Sequence, residues 1–473
     1  MIKKTKIVAT ISDRTCTPQF IKSLFDEGMD VVRMNTAHQS PEQALKVIQD
    51  VRQVSNKIAL LLDTKGPEVR TVKTENEIKV VAGQKINVKG DSTKESSNEC
   101  IYVSYPRFVN DVPENSKILI DDGSIELKVI KKEADNLICE ATNEGLIKGR
   151  KSVNVPNVSF NLPSVSERDK EFIKLAIEQD IDFIAHSFVR NKEDVIEIQK
   201  ILDKQKSNIK IIAKIENQQG VDNIDEILDH VYGVMVARGD LAVEIPYEKI
   251  PGIQRMLIQK CIEGRKPVII ATQMLQSMID NPRPTRAEVS DVANAVYSNA
   301  DAMMLSAETA NGNYPIEAVC TMAKIAMEVE QSKEPFHEIP VHVLNNPTTA
   351  YLCKSAVKGA IRLNAKAIIA DSTSGRTLRA LAAYRGSRPI FAQCYSKRTV
   401  REMALCYGVI PDFMELKETS HEFLLVALTS LINKHTFEPD DLIVVAAGNF
   451  GRSMGVSYIE IGTVEKLMGN LTI

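Results

Sequence analysis

The chain has 473 residues, of which 44% are hydrophobic and 26% charged, with 59 basic against 62 acidic residues and a net charge of -3. These figures exclude a disordered chain and give no global attraction to nucleic acid or to an anionic membrane, so any phosphate must be held by local groups. The 8 cysteines are scattered without a Cys-x-x-Cys pair, which argues against a zinc site or a disulfide framework and for reduced thiols in a cytosolic protein.

At the N-terminus the apolar run 7–11 is too short for a signal-peptide core, and no stretch reaches the ~20 apolar residues of a membrane helix. A cytoplasmic protein is expected. Further runs follow at 31–35, 59–63, 183–187, 211–214, 234–237, 268–272 and 302–306. Continuous apolar runs of this length fit strands buried on both faces of a parallel sheet. The segments between them, such as 18–27 and 41–54, are amphipathic and can cover helical crossovers. Eight strand–helix units predict a closed (β/α)8 barrel, with a doubly wound open sheet as the competing architecture.

Asn35, Asp63, Lys214 with Glu216, Gly239-Asp240, Thr272 and Ser306 all fall at the carboxyl ends of these runs, which converge on one site in a barrel. From about 71 to 154 the pattern changes to period two, punctuated by Gly83, Gly90, Gly123, Gly145 and Gly149. This predicts a small antiparallel β domain inserted in a barrel loop and acting as a lid. After about 340 comes an open α/β unit: a helix over 348–363, a strand at 367–370, a loop over 372–377 with a helix to 384, a strand at 390–392, a helix over 399–407 and a strand at 442–446. The expected domains are the discontinuous barrel 1–70 and 155–340, the lid 71–154 and the C-terminal domain 341–473.

Residues two apart in an extended segment share a face, so Lys214 and Glu216 can enter one cavity. Glu216 and Asp240 make a two-carboxylate site suited to Mg²⁺ or Mn²⁺; a structural Lys–Glu pair at the rim is the alternative. Arg33 and Arg70 are fixed cations at the ends of the second and third units, and two guanidinium forks favour a phosphate site. Thr272 and Ser306 offer hydroxyls that either relay a proton or cap the next helices. Thr285 and Glu288 have capping-box spacing. No P-loop, Gly-x-Gly-x-x-Gly, nucleophile elbow or His-Glu-x-x-His occurs, so the chemistry must come from the ring of strand ends.

Several motifs, taken in order, resemble those of the pyruvate kinase family. They are Lys6-Ile7-Val8-Ala9-Thr10-Ile11, Gly28-Met29-Asp30-Val31-Val32-Arg33, Leu62-Asp63-Thr64-Lys65-Gly66-Pro67-Glu68-Val69-Arg70-Thr71, Ile212-Ala213-Lys214-Ile215-Glu216-Asn217, Met235-Val236-Ala237-Arg238-Gly239-Asp240-Leu241, Ala271-Thr272-Gln273-Met274-Leu275 and Pro282-Arg283-Pro284-Thr285-Arg286-Ala287-Glu288. The match runs to about Glu328 and continues more loosely beyond it.

The resemblance implies transfer of a phosphoryl group from phosphoenolpyruvate to ADP. It implies a divalent metal on Glu216 and Asp240, and charge stabilisation by Lys214. Arg33 and Arg70 would grip phosphate, and the backbone of Gly239 and Asp240 would meet the substrate carboxylate. Thr272 and Ser306 would help protonate the enolate. Asn35, Asp63 and Thr64 would bind K⁺, and Asn35, His38, Arg70 and Lys151 would face the nucleotide, with Asp122 nearby. It also implies a homotetramer, and a sugar-phosphate or AMP effector at Ser372, Thr373, Ser374, Gly375, Arg376 and Thr377, with Arg452 opposite.

Three positions depart from the family pattern. Ser12-Asp13-Arg14-Thr15 replaces Gly-Pro-Ala-Ser, Ala37 replaces a serine that helps hold K⁺, and Ala307 replaces a glycine. A non-catalytic metabolite sensor on the same scaffold is the competing reading. The intact set Arg33, Arg70, Lys214, Glu216 and Asp240 opposes it.

Overall fold

The eight apolar runs become parallel strands: β1 (Lys6–Thr10), β2 (Val31–Asn35), β3 (Ala59–Asp63), β4 (Phe183–His186), β5 (Lys210–Ile215), β6 (Gly233–Ala237), β7 (Val268–Ala271) and β8 (Ala302–Leu305). They close in sequence order, with β8 paired to β1 from Lys6↔Ala302 to Ala9↔Leu305. Closure decides for the barrel over the open sheet. The structure, a computed structural model, describes residues 2–13, 15–332, 346–434, 436–448 and 455–469.

Strand alternation explains why the runs are apolar throughout. Val8, Leu61, Phe183, Ile212, Met235 and Ile269 fill the barrel interior. Ile7, Leu60, Ile184, Ala213, Val234 and Ile270 face the helical ring instead. Each fully buried aliphatic side chain contributes about 1.5–3 kcal/mol. The helices start on chemical signals. Pro18–Asp26 and Pro41–Val54 follow the caps Thr17 and Ser40 and carry proline in the first turn. Arg286–Tyr297 begins with the Thr285–Glu288 capping box that the spacing predicts.

Between β3 and β4 the chain builds a six-stranded sheet and a two-stranded one around a core of their own. The strand Ile125–Lys132 alternates buried and more exposed residues along its first six positions, as its period-two sequence predicts. The chain leaves and re-enters this unit side by side, through the antiparallel bridge Arg70↔Ser152.

The C-terminal unit is a five-stranded sheet in the order Val409–Phe413, Ile390–Cys394, Ala367–Ser372, Leu442–Ala447, Tyr458–Thr463, the last strand antiparallel. Both edge strands and the helix Ser420–Asn433 go beyond the sequence reading. The helix expected over 399–407 runs instead over Lys397–Met403. It stops there because Ala404 and Leu405 pack into the barrel interior. Lys6 Nζ donates to the Val409 carbonyl at 2.7 Å, and the Tyr407 N–H donates to Asp301 at 3.0 Å. These contacts close the amino end of the barrel and leave the carboxyl end for chemistry. No described helix is long and apolar enough to cross a membrane.

Candidate active site

Two basic and two acidic side chains meet at the carboxyl ends of β2, β3 and β5. Arg33 sends Nε and Nη2 to Asp63 Oδ2, both at 2.6 Å, and Nη1 to Thr10 Oγ1 at 3.0 Å. Lys214 Nζ lies 3.1 Å from Asp63 Oδ1, 2.9 Å from Glu216 Oε1 and 2.7 Å from Ser187 Oγ. All four are buried. Burial favours a neutral Asp63, but Arg33 and Lys214 outweigh it and hold the carboxyl below its usual range. Burial equally opposes charge on Lys214, yet Asp63 and Glu216 prevail and hold it cationic. The barrel mouth therefore carries a fixed ammonium and a fixed guanidinium, oriented by one carboxylate.

Glu216 Oε2 accepts the Phe188 N–H at 2.7 Å. Phe188 adopts φ +56°, a left-handed conformation rare for an aromatic residue. The tight turn needs Gly66: a Cβ there would meet Ser187 Cβ at 2.8 Å and the Phe188 ring at 2.9 Å. Asp240, in the first turn of the helix Arg238–Glu244, stands beside Glu216. Burial pushes Glu216 up to about 7, with Asp240 adding to the rise and Lys214 opposing it. Asp240 is also raised by burial, and Glu244 rises to about 7 by burial and the charge of Glu216. Adjacent buried carboxylates that resist ionising favour a proton or a cation between them. Their hard oxygens fit a divalent cation that keeps waters and substrate oxygens. Among the described residues no group of three or more His, Cys, Asp or Glu side chains gathers as a metal cage.

The oxygen donors expected for K⁺ are partly engaged. Asn35 Oδ1 accepts the Ala37 N–H at 3.1 Å, Thr64 Oγ1 accepts the Ser187 N–H at 3.1 Å, and the Thr64 carbonyl accepts Ser187 Oγ at 2.6 Å. Asp63 is already neutralised by two cations. The set suits a monovalent ion held weakly.

Across the mouth, Thr272 Oγ1 accepts the Gly239 N–H at 2.8 Å and donates to the Ala271 carbonyl at 2.6 Å. Thr272 sits at φ +68°, and for a β-branched residue that is genuine strain. Arg238 holds the turn from behind, donating to the Thr272 carbonyl at 2.7 Å while paired with Asp291 at 2.7 Å. Ser306 caps no helix with its side chain; its N–H donates to the buried Glu308 at 2.7 Å. Neither hydroxyl caps the helix that follows it, although Thr272 accepts an N–H from the first turn of Arg238–Glu244.

Arg70, Lys151 and His38 lie outside this cluster. Arg70 pairs with Glu68 at 2.7 Å and donates to the Arg150 carbonyl at 2.7 Å, within the hinge. Lys151 pairs with Asp121 at 2.9 Å, and Asp122 accepts Ser152 Oγ at 2.7 Å. His38 is exposed on the turn after β2. In the C-terminal unit, Ser372 Oγ accepts the Gly375 N–H at 2.9 Å. The helix Arg376–Ala383 starts from Gly375 at φ +73° with no side-chain cap. Ser374 Oγ accepts Arg376 Nε at 3.3 Å, and the Thr373 carbonyl accepts Thr399 Oγ1 at 3.0 Å. Arg452 lies outside the described residues.

The sequence reading missed Ser187, Thr10, Arg238 and Glu244. Ser187 was detectable, because it ends the 183–187 run and strand ends are where barrel chemistry collects.

Comparison with known proteins shows what the chain as a whole is similar to. The pyruvate kinase barrel-domain profile matches residues 2–319, and the pyruvate kinase alpha/beta-domain profile matches residues 351–461. A pyruvate kinase of Borreliella burgdorferi is 48% identical over 469 residues, covering 98% of both chains. One from Geobacillus stearothermophilus is 43% identical over 99% of this chain and 81% of its own. The crystal structure of a pyruvate kinase from Cryptosporidium parvum superposes with a TM-score of 0.92 at 34% identity, over 98% of this chain and 96% of that one.

Proposed function

The chain belongs to the pyruvate kinase family, and from that premise we propose how its residues divide the work. It is a phosphotransferase that moves the phosphoryl group of phosphoenolpyruvate to ADP, giving pyruvate and ATP. The bond from phosphorus to the enol oxygen breaks, a bond to a terminal ADP oxygen forms, and the enolate takes a proton at carbon. Phosphoryl transfer needs alignment and charge stabilisation more than covalent help.

Glu216 and Asp240 would hold Mg²⁺ or Mn²⁺. When bound, that ion supplies positive charge to substrate and phosphoryl oxygens. Lys214, fixed between Asp63 and Glu216, neutralises charge on the transferring group and on the enolate. Arg33, locked on Asp63, grips phosphate. Arg70 joins it by leaving Glu68, an exchange that costs little at a half-exposed pair. The Gly239 N–H and Asp240 backbone receive the substrate carboxylate once Thr272 Oγ1 yields the Gly239 bond. Thr272 and Ser306 deliver the proton through water. Asn35, His38, Arg70 and Lys151 contact the nucleotide, and the 71–154 lid excludes water above the 1–70 and 155–340 barrel. Asn35, Asp63 and Thr64 would hold K⁺, and weakly, since Ala37 brings no hydroxyl.

In the 341–473 domain, residues 372–377 would take the phosphate of a sugar phosphate or AMP. The uncapped helix start at Gly375 supports this, as does the tight turn there, where a Cβ would meet Met403 Cε at 2.4 Å. The family resemblance supports a homotetramer.

The observation that carries the residue assignment is the Lys214 ammonium held between Asp63 and Glu216 at the mouth of the barrel. A coupled assay with ADP, phosphoenolpyruvate and Mg²⁺, following pyruvate, tests the function. Turnover that requires all three supports the enzyme, and its absence with intact ligand binding would favour the sensor.

A further inference from the structure

The barrel and the C-terminal domain meet across an excess of positive charge. Arg265 and Lys266 follow the barrel helix Ile250–Glu263, while Arg379 lies on the helix Arg376–Ala383 and Arg385 just beyond it. All four line one small interdomain cavity, together with Asp301. Among the described residues Asp301 is the only acidic one lining it, and it is bound to Arg385 Nη2 at 2.5 Å.

The other cations have no such partner in the cavity wall. Lys266 Nζ donates to the Val231 carbonyl at 2.7 Å. The Arg379 guanidinium lies over the Tyr232 ring, 4.9 Å from its centroid. Arg265 has even less: its Nε and Nη2 are buried and meet no acceptor among the described residues. Buried guanidinium N–H groups without acceptors are rare, because each forfeits its hydration. The backbone of Arg265 is also costly. It sits at φ +56° in the left-handed turn that ends its helix, where glycine is the usual residue. An arginine kept at a glycine position, lining a cationic cavity and with buried N–H groups that lack an acceptor, is suited to receive an anion.

Two acids lie further out, Asp229 toward Lys266 and Glu402 toward Arg379. Glu402 is already shared with Arg398 at 3.3 Å and Lys210 at 3.8 Å. The excess in the cavity therefore stands. Burial, and then repulsion from Arg379, hold Lys266 below its usual range, as expected where cations crowd. The cavity volume is about 10 Å³, room for one water-sized sphere. A cavity this small favours a monatomic anion over phosphate, carboxylates and sugar phosphates.

We propose that this cavity is a halide site, in which one chloride-sized anion bridges Arg265 to Arg379 and Arg385 and clamps the C-terminal domain to the barrel. The ion would sit one side chain from the 372–377 loop, since Arg379 Nη1 lies 3.2 Å from a Cβ built on Gly375. It requires no metal and no substrate.

Crystals of the full chain grown with bromide in place of chloride test it by anomalous diffraction. The expected result is a bromine peak in contact with Arg265 Nε and Nη2, absent in Arg265→Met. In solution, chloride should raise the apparent Tm over gluconate at matched ionic strength by about 2 °C in the wild type and not in Arg265→Met. A water at the site without bromine signal, while halide binds elsewhere, overturns the proposal. So does an equal chloride shift in both proteins. If Arg265→Met fails to fold, the wild-type bromine map decides alone.

Discussion

The barrel mouth and the lid carry the same residue types in opposite ways. Arg33, Lys214, Asp63 and Glu216 project from rigid strand ends, are buried, and bond chiefly to one another. Arg70 and Lys151 also bond carboxylates, but their side chains are 37% and 36% exposed and their partners are local. Charge in the mouth is fixed before substrate arrives, which is what stabilising a transition state requires. Charge in the lid sits in pairs worth about 0–1 kcal/mol, cheap enough to exchange for a nucleotide phosphate. On the proposed assignment, chemistry and capture are thereby separated in the fold.

Asp63→Asn should break this contrast most severely. It removes the shared anion of Arg33 and Lys214 and leaves two buried cations short of charge, a loss of about 3–5 kcal/mol. Urea unfolding reads it, and a midpoint unchanged from wild type would mean the pairs are not coupled to the fold. The same carboxyl sets a pH trend. Its pKa is lowered on folding, so its contribution is full above the unfolded value and is lost as pH falls through the folded one. The acid limb of stability should therefore flatten in Asp63→Asn.

His186 sharpens the comparison from the dry side of the same strand end. Ser187 faces the mouth, whereas both His186 ring nitrogens are buried and lack a well-formed hydrogen bond among the described residues. Burial pulls its pKa down to about 4. The unfolded chain takes up a proton near pH 6.5 and the folded one does not, so stability falls as pH drops from 6.5 to 4, by roughly 3 kcal/mol. His186→Leu should remove that slope between pH 6.5 and 4 without changing the response to Mg²⁺.

Thr272→Gly should separate activity from stability. Relief of the left-handed strain offsets the lost Gly239 hydrogen bond, leaving unfolding free energy within about 1 kcal/mol of wild type. Removing a proton-relay hydroxyl lowers kcat by about 10²-fold. A normal kcat would remove Thr272 from the relay.

Lys151→Met should give the smallest change. Stability stays within about 1 kcal/mol because the Asp121 pair is half exposed. KM for ADP rises by about tenfold, the cost of one phosphate contact, with kcat little altered. A fall in kcat alone would place Lys151 with the mouth residues.

The barrel was legible in the sequence because both faces of its strands are buried, leaving unbroken apolar runs at 7–11 through 302–306. The polar residues ending those runs marked the mouth, so Asp63, Lys214 and Glu216 could be picked by position alone. The C-terminal edges were not legible for the complementary reason. Val409–Phe413 and Tyr458–Thr463 are only partly buried and carry no such run. The helix Ser420–Asn433 is apolar on more than one face, with Leu424 buried and Val426 exposed, so it lacks the stripe that separates helix from strand. The helix expected to reach 407 ended early because Ala404 and Leu405 serve the barrel, a tertiary demand no local pattern encodes. Arg238 stood inside a recognised motif, but its task of holding a strained turn depends on Thr272 lying 34 residues away in sequence.

Lys214→Met tests the central claim most directly, measured as kcat with phosphoenolpyruvate and ADP alongside Mn²⁺ binding to the same protein. The fixed ammonium acts on charge that develops during transfer, so kcat should fall by at least about 10²–10³-fold. Mn²⁺ should still bind, because Glu216 and Asp240 remain. A kcat near that of the wild type would contradict the account and move the chemistry away from the barrel mouth.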